Sequence, residues 1–232
     1  MNYTIKAEIH CHANRRQRLF YCPLLYDSVQ SEEEILKECL KKNIKILAIT
    51  DHDSMDGYHL AKKIIKEKKL DILLIPSIEV SAKGGHVLAY NIKRVIPRGW
   101  PVQKVVDEIH NQGGIAVAAH PYMVLSYKDK VFDINFDAIE GYNSSIPNKH
   151  NHKAVKAAKK MKKPCIAGSD AHQNEAVGNG MMLFPKSTET VEDVMENILK
   201  ANFKIEYKPT SLLPMIKRHI YRNINVQVLQ RI

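Results

Sequence analysis

The order of its apolar segments limits what this chain of 232 residues can fold into more than any other feature. Short apolar runs of strand length alternate with segments that carry apolar residues at helical spacing. The runs predict strands at residues 3–12, 44–50, 70–80, 86–92, 115–119, 138–142 and 165–169. Helices are predicted after Ser31, over 57–69, after Pro101, over 149–162 and after Thr190. This alternation is typical of an α/β fold with a mainly parallel sheet and helices outside it.

Local signals refine this prediction. Ser31 and Glu34 form a capping-box pattern, in which each side chain can bond the backbone N–H of the other, so a helix is expected to begin there. The connection around Lys83-Gly84-Gly85 is too short for a crossover helix, so the third and fourth strands are expected to form a hairpin. We expect residues 1–208 to form the main domain and residues 209–232 a basic extension that packs on it or extends from it.

Nearly every predicted strand ends in residues that can bind a metal ion, and the fourth strand begins with one, His86. These residues are His10, His12, Asp51, His52, Asp53, Glu79, His86, His120, Asp170 and His172. In parallel α/β barrels the carboxyl ends of the strands converge on the face that carries the active site. Alternate residues of a strand point to the same side, so the H-x-H and D-x-H pairs can each bind one ion or two neighbouring ions.

Each of these residues alone has an ordinary structural explanation. A buried histidine can be a satisfied core residue, Asp51 or Asp53 can cap a helix, and Asp170 can belong to a turn. Such explanations would have to hold independently at several strand ends, which favours a metal site. Imidazole and carboxylate ligands without thiolates suit zinc, manganese or iron.

Charge and cysteine content add weaker constraints. The formal net charge is +10, and residues 148–163 contain seven lysines and no acid, which favours anionic partners. One helical stripe holds Lys149, Lys153, Lys156, Lys160 and Lys163. The stripe is either a solvated face or a path for a nucleic-acid backbone, although this helix has no aromatic residue for base stacking.

The compartment is predicted from the cysteines and the apolar runs. The four cysteines are scattered, which favours a reducing, cytoplasmic location. No apolar run is long enough to span a membrane, and no signal peptide is expected.

Taken in order, the motifs resemble those of the PHP (polymerase and histidinol phosphatase) family. Its D-x-H-x-H motif is similar to Glu8-Ile9-His10-Cys11-His12, and its second motif to Ile49-Thr50-Asp51-His52-Asp53. Then follow Glu79, the Gly85-His86 strand start, Ala119-His120-Pro121, Ile139-Glu140-Gly141-Tyr142-Asn143 and Gly168-Ser169-Asp170-Ala171-His172. The resemblance covers about residues 3–185 and implies a distorted (β/α)7 TIM-like barrel that holds two or three divalent ions.

The resemblance also implies a role for each ligand. The first ion would be held by His10, His12, Glu79 and Asp170. Glu79 would bridge to a second ion, completed by His120 and His86. His52, His172 and an acid after the first motif would hold the third ion, and Asp53 would orient a ligand histidine.

Two departures from the family pattern stand out. The aspartate that follows H-x-H in relatives has its counterpart only at Asp27, beyond an inserted segment at residues 14–25. This segment contains Arg15, Arg16 and Arg18, which either are solvated or bind a phosphate group of the substrate. Glu8 replaces the usual aspartate and is expected to lie outside the ligand set.

Together these features predict a metal-dependent phosphoesterase that acts on a small phosphorylated metabolite or nucleotide. Hydroxide held between two ions would attack phosphorus, with catalytic roles for His172, His52 and Asp170 and a substrate-binding role for Asn143. The alternatives are an exonuclease or oligonucleotide phosphodiesterase and a non-catalytic metal-binding regulatory module. An amidohydrolase that cleaves C–N bonds is disfavoured by Glu79 and by the Asp170-x-His172 pair.

Overall fold

The computed structural model describes residues 2–13, 28–124 and 126–211. Its strands are β1 (Tyr3–Cys11), β2 (Ile44–Ile49), β3 (Leu73–Leu74), β4 (Ser77–Ala82), β5 (Gly85–Tyr90), β6 (Ile115–Ala118), β7 (Ala138–Asn143), β8 (Cys165–Gly168), β9 (Gly180–Pro185) and β10 (Lys204–Tyr207). Its α-helices are α1 (Glu32–Lys41), α2 (Asp56–Lys68), α3 (Val102–Asn111), α4 (Asn148–Met161) and α5 (Val191–Leu199).

The strands form two five-stranded sheets. The first has the order β10-β9-β1-β2-β3 and the second the order β4-β5-β6-β7-β8. Pairing is parallel from β1 through β2 to β3 and from β6 through β7 to β8. It is antiparallel where β9 joins β1 and β10, and where β5 joins β4 and β6. The predicted α/β class is confirmed, and the sheets are mixed.

The two sheets meet at two seams, one at the end of β1 and one just beyond the end of β2. One isolated parallel bridge joins Cys11 to Ala171, and another joins His52 to Glu79. The His12 N–H donates to the Ala171 carbonyl at 2.9 Å, and the Glu79 N–H donates to the Thr50 carbonyl at 3.1 Å. Within the described residues these bridges, rather than a continuous ladder, link the sheets, so the closed barrel stays a prediction.

The predicted third strand was wrong in its extent. Residues 70–80 contain β3, which pairs with β2, and the first part of β4, which pairs with β5. Pro76 separates them, because proline has no N–H to donate to a ladder. The hairpin around Gly84 is confirmed, since β4 and β5 are antiparallel and adjacent.

The helices begin and pack as their sequences predict. Ser31 accepts from the Glu34 N–H while the Glu34 carboxylate accepts from the Ser31 N–H, which confirms the capping box of α1. The apolar faces of α3 and α4 are buried against the sheets, and α4 presents the small residues Ala154, Ala157 and Ala158. Small side chains allow a helix to approach a sheet closely.

The chain beyond the last ligand motif contains two strands that the sequence analysis did not predict. These are β9, which lies against β1, and β10 at the sheet edge. The predicted boundary at residue 208 is not tested, because residues 212–232 lie outside the described part of the chain. No helix among the described residues is long and apolar enough to cross a membrane.

Candidate metal centre

Strand β1 delivers two imidazoles to the point where the sheets meet. His10 is the penultimate residue of β1, and His12 follows the strand; both are buried. The backbone of this pair is held by the segment that follows β8, since the Asp170 N–H donates to the His10 carbonyl at 2.7 Å and the His12 N–H donates to the Ala171 carbonyl. The local strand geometry therefore fixes the H-x-H pair beside Asp170.

The carboxylate of Glu79 lies at the centre of the cluster and uses both oxygens. Its Oε1 lies 2.9 Å from both His86 Nδ1 and His120 Nε2. Its Oε2 lies 3.2 Å from His12 Nε2, 3.3 Å from His10 Nε2 and 3.6 Å from His52 Nε2. Five imidazoles from both sheets thus surround a single buried carboxylate.

Asp170 forms the second anionic point of the cluster. Its Oδ1 lies 3.3 Å from His12 Nε2, 3.6 Å from His10 Nε2 and 3.5 Å from His172 Nδ1. The His172 ring stacks on His12 with 4.4 Å between ring centroids. Asp170 has φ +50° and His120 has φ +27°, a region that residues other than glycine seldom adopt and that is enriched at functional sites.

The spacing of these atoms fits shared binding of cations. Two ligand atoms that are each about 2.1 Å from one ion lie roughly 3.0–3.4 Å apart in octahedral or tetrahedral geometry. Three groups of ligand atoms come together within 4.8 Å: His10–Glu79–His120, His10–His12–Asp170 and His12–His52–Glu79. In addition, the buried Nδ1 of His120 has no hydrogen-bond partner within the described residues. The donor set and its geometry therefore fit divalent metal ions.

A second layer of residues positions the ligands. Glu140 Oε1 lies 2.6 Å from His10 Nδ1 and so accepts its N–H, which leaves Nε2 to face Glu79 and Asp170. Glu140 Oε2 accepts the backbone N–H of His120 at 2.8 Å. The sequence contained Glu140 within a family motif but did not reveal this role, which depends on β7 lying beside β8.

Gly168 makes the contact between His10 and Glu140 possible. A Cβ atom at this position would lie 2.5 Å from both Glu140 Oε1 and His10 Cβ. Any larger residue would have to displace the ligand or its acceptor. Gly168 ends β8 directly before the segment that carries Asp170 and His172.

Asn143 was predicted to bind substrate, and its surroundings do not support that role. It is fully buried, and its Nδ2 donates to Glu140 Oε2 and to Asp170 Oδ2, both at 3.1 Å. Its Oδ1 accepts the Ser145 N–H at 2.9 Å. The amide is thus fully engaged inside the protein, where it orients Asp170.

The other predicted acids bind backbone. Asp51 Oδ1 accepts the Ala13 N–H, and Asp53 Oδ1 accepts the Ser81 N–H, both at 2.7 Å. Asp53 was expected to orient a ligand histidine, which stays a prediction; its Oδ2 lies 3.9 Å from Arg98 Nε. Glu8 lies outside the ligand set, where it accepts the N–H groups of His10, Ser169 and Gly178.

Arg98 was missed by the sequence analysis and carried no signal beyond an arginine between Pro97 and Gly99. Its half-exposed guanidinium lies next to Asp53, and the Gly99 N–H donates to Ser81 on β4. The predicted third-ion ligand Asp27 and the predicted phosphate ligands Arg15, Arg16 and Arg18 lie outside the described residues.

Charge coupling between the imidazoles and the carboxylates is strong. Burial alone would lower the pKa of His10, but the Glu140, Asp170 and Glu79 carboxylates raise it well above its usual value. Burial alone would raise the pKa of Asp170, but His10, His12 and His172 hold it well below its usual range. Without bound ions these carboxylates therefore favour a protonated His10, and protons compete with metal ions for its Nε2.

Sequence comparisons connect the chain to known proteins. A family model described as PHP-associated matches residues 148–203. An uncharacterized protein of Methanocaldococcus jannaschii is 31% identical over 143 residues, which is 60% of this chain and 82% of that protein. A 5′-3′ exoribonuclease of Haemophilus influenzae is 27% identical over 99 residues, 41% of this chain and 32% of the nuclease.

Structural comparison also relates the chain to a PHP-like protein. A crystal structure of a two-domain protein from Bacteroides vulgatus, containing a predicted PHP-like metal-dependent phosphoesterase, superposes with a TM-score of 0.70 at 16% sequence identity. The match covers 88% of this chain and 65% of that protein, so the chain spans less than two thirds of its length. At this identity the similarity is one of fold.

Proposed function

This chain belongs to the PHP family, and from that membership and the geometry of its site we propose that it is a metal-dependent phosphoesterase. The observation that carries the proposal is the position of Glu79, whose two oxygens contact imidazoles from separate strand ends of both sheets. A buried arrangement of this kind would be costly unless cations filled it. Divalent ions are the partners that these ligands suit.

We assign the ligands as follows. One ion would be held by His10, His12 and Asp170, with Glu79 beside it. A second would be held by Glu79, His120 and His86. His52 lies with His12 and Glu79, so it would complete either ion, while His172 and Asp27 stay the proposed ligands of a third. Zinc, manganese and iron all suit this set.

When bound, such ions supply a water of lowered pKa and positive charge beside the phosphoryl oxygens. The chain's own groups orient the ligands and supply a proton. Glu140 fixes the tautomer of His10, and Asn143 holds Asp170 in place. His52 and His172 lie at the edge of the cluster, and whichever of the two is not bound to an ion can give a proton to the leaving alkoxide.

The two seams support a barrel-like arrangement around this site. We propose that β1, β2 and the strands from β4 to β8 form the distorted barrel, joined at its mouth by the bridges at Cys11–Ala171 and His52–Glu79. All assigned ligands within the described residues lie at or next to that mouth. A cytoplasmic location is also proposed, supported by the free cysteines Cys11, Cys39 and Cys165.

The test is phosphate release from a panel of substrates in the presence of manganese. The panel contains p-nitrophenyl phosphate, a phosphodiester analogue, mononucleotides, 3′,5′-bisphosphates, histidinol phosphate and short RNA. Asp170→Ala is assayed beside the wild type, with bound metal quantified in both. Hydrolysis by the wild type and its loss in the variant are the expected results.

Two other results would lead elsewhere. Bound metal with no hydrolysis of any panel member would favour the non-catalytic regulatory module. A wild-type protein that binds no ion would remove the basis of the proposal. The variant Glu196→Gln, which changes an exposed acid of α5, controls for the loss of one acidic group.

A further inference from the structure

A cleft of about 550 Å³ lies between helix α4 and the segment that follows His120. The helix contributes His150, Lys153, Lys156 and Lys160, and the opposite wall contains Tyr122 and Phe132. Its volume falls within the roughly 300–1,000 Å³ that is usual for ligand sites. We call this feature the lysine cleft.

The lysine cleft is strongly positive. Lys128, Lys153, Lys156 and Lys160 line it, whereas Asp129 is the one acid among its lining residues. In the described part of the chain none of these lysines has an ion-pair partner, and the Asp129 carboxylate accepts the Tyr122 hydroxyl at 3.1 Å. Four unneutralised ammonium groups on one concave surface attract a partner with several negative charges.

The wall opposite the lysines is apolar and aromatic. Val124 is 70% exposed and Tyr122 is only partly buried, although both side chains favour contact with other apolar groups. Lys160 Nζ lies 4.5 Å from the centre of the Phe132 ring. The absence of aromatic residues on the helix itself is therefore compensated by the facing segment, which supplies surfaces on which bases can stack.

One wall of the lysine cleft is built on the segment that directly follows the proposed ligand His120. Tyr122 follows the ligand His120 by two positions, so their Cα atoms are at most about 7.6 Å apart. The segment is tied back to that ligand, because the Met123 N–H donates to the His120 carbonyl at 3.0 Å and the Lys128 N–H to Pro121 at 2.8 Å. A chain molecule lying in the cleft would therefore pass close to the metal centre.

We propose that the lysine cleft binds the phosphodiester backbone of single-stranded nucleic acid, with unpaired bases against its aromatic wall. Such a strand matches both surfaces: its phosphates face the lysines, and its exposed bases face Tyr122 and Phe132. A duplex would hide its bases, and an acidic peptide would leave the aromatic wall unused. The proposal rests on the proposed function for where the strand is cut, but not for its binding.

The experiment measures binding and hydrolysis with the same metal-loaded proteins. Binding is followed by fluorescence anisotropy of a labelled 12-nucleotide single-stranded DNA with phosphorothioate linkages, over a range of salt concentrations. Hydrolysis is measured with p-nitrophenyl phosphate and with an unmodified oligonucleotide. The test variant is Lys153→Ala/Lys156→Ala/Lys160→Ala, and the matched control is Lys62→Ala/Lys63→Ala/Lys66→Ala on α2. Both remove three exposed charges and keep good helix formers.

The cleft variant is expected to bind the strand at least tenfold more weakly. The slope of log affinity against log salt concentration should fall by about 2, since each lost phosphate contact accounts for about 0.7 with single strands. The KM for the oligonucleotide should rise while p-nitrophenyl phosphate hydrolysis stays within twofold. Tyr122→Ala should weaken binding by about fivefold or more through lost stacking.

Several outcomes would overturn the proposal. These are no binding by the wild type, equal losses in the two triple variants, and equal affinity for a duplex or for polyglutamate. Failure of the proposed function would look different. In that case neither substrate would be hydrolysed by any protein, while the binding measurement would still report on the cleft.

Discussion

At the scale of single residues, Glu79 and Glu140 have different roles in the site. Glu79 lies between the imidazoles and contacts His10 Nε2, whereas Glu140 contacts Nδ1, the other ring nitrogen of His10. Only the first was recognisable from the sequence as a ligand, because it lies at the end of a predicted strand, as most of the other ligand residues do. The second became apparent from the 2.6 Å contact between atoms 130 positions apart in the chain.

Replacing Glu140 with glutamine should therefore reduce metal affinity without removing a ligand. An amide is a weaker acceptor for the His10 N–H, so the imidazole becomes less basic and less well oriented. We expect a loss of about 10- to 100-fold in affinity, measured by competition with a chelating dye. Glu196→Gln should leave affinity unchanged, and an unaltered affinity in Glu140→Gln would contradict the assignment.

Gly168 allows a second test at this scale. In Gly168→Ala the new methyl group would overlap His10 Cβ and Glu140 Oε1, so the ligand must move. Overpacking of this kind costs about 1–3 kcal/mol in the free energy of unfolding. Metal affinity should also fall when it is measured well below the unfolding temperature. A variant that is less stable but binds metal normally would show that the contact matters for packing alone.

At the scale of elements, helix α1 shows how local signals carry over to the fold. Its capping box was readable from Ser31 and Glu34, and the structure contains both bonds. Just before it, Gln30 and Ser28 donate to the carbonyl of His12. The start of α1 is thus linked to the end of β1, where the first two ligands lie.

The capping box gives a prediction about pH. The backbone N–H of Ser31 lowers the pKa of the Glu34 carboxyl below its usual value of 4.5. At pH values near these two pKa values the unfolded chain binds more protons than the folded one. The stabilisation is therefore present above about pH 4.5 and is lost as the pH falls through the folded-state pKa.

Chemical denaturation of the wild type and Glu34→Gln should reveal this effect. The wild type should be the more stable at pH 7, and the difference should shrink as the pH falls below 4.5. Glu67→Gln on α2 serves as the control, because Glu67 lies outside any capping box. A difference that is constant with pH would argue against a charged Glu34 in the cap.

Some elements could be predicted from the sequence and others could not, for identifiable reasons. Strands β1, β2, β6 and β8 contain apolar residues and end in or next to ligand residues, so both periodicity and chemistry marked them. The break at Pro76 was missed because the run before it, residues 72–75, is apolar and Ile78 and Val80 follow it. β9 and β10 follow the last motif and pair antiparallel, and nothing local indicates that β9 lies beside β1. The metal ligands could be predicted because they lie at strand ends. The contacts of Asn143 and Arg98 could not be predicted, because they depend on residues that are close only in the folded chain.

At the scale of the whole molecule, the candidate metal centre is also the junction of the two sheets. His10, His12 and His52 belong to the first sheet or its continuation, and Glu79, His120 and Asp170 to the second. Bound ions would therefore hold the sheets together where isolated bridges and single hydrogen bonds, rather than a continuous ladder, join the described strands. Stability and metal occupancy should be coupled.

Removal of metal by a chelator should accordingly lower the unfolding temperature. An ion present at a hundredfold excess over its Kd stabilises the folded state by about 2.7 kcal/mol, which corresponds to roughly 5–10 °C for a chain of this size. Differential scanning calorimetry with and without chelator measures the shift. Amide exchange at His12 and Glu79, which donate across the seams, should become faster. In Asp170→Ala, addition of the chelator should change the unfolding temperature only slightly. A wild-type unfolding temperature that does not depend on metal would contradict the coupling.

The seam between β1 and β8 joins residues that are far apart in the chain: the Ser169 hydroxyl and the His10 carbonyl that it contacts are 159 positions apart. During synthesis, a ribosome releases the first histidines long before the last aspartate. A nascent or truncated chain therefore carries an incomplete set of ligands, and hydrolytic capacity would arise late, once both sheets have docked. Contacts of such long range also make folding slow. A complete metal centre would form only after translation has passed β8.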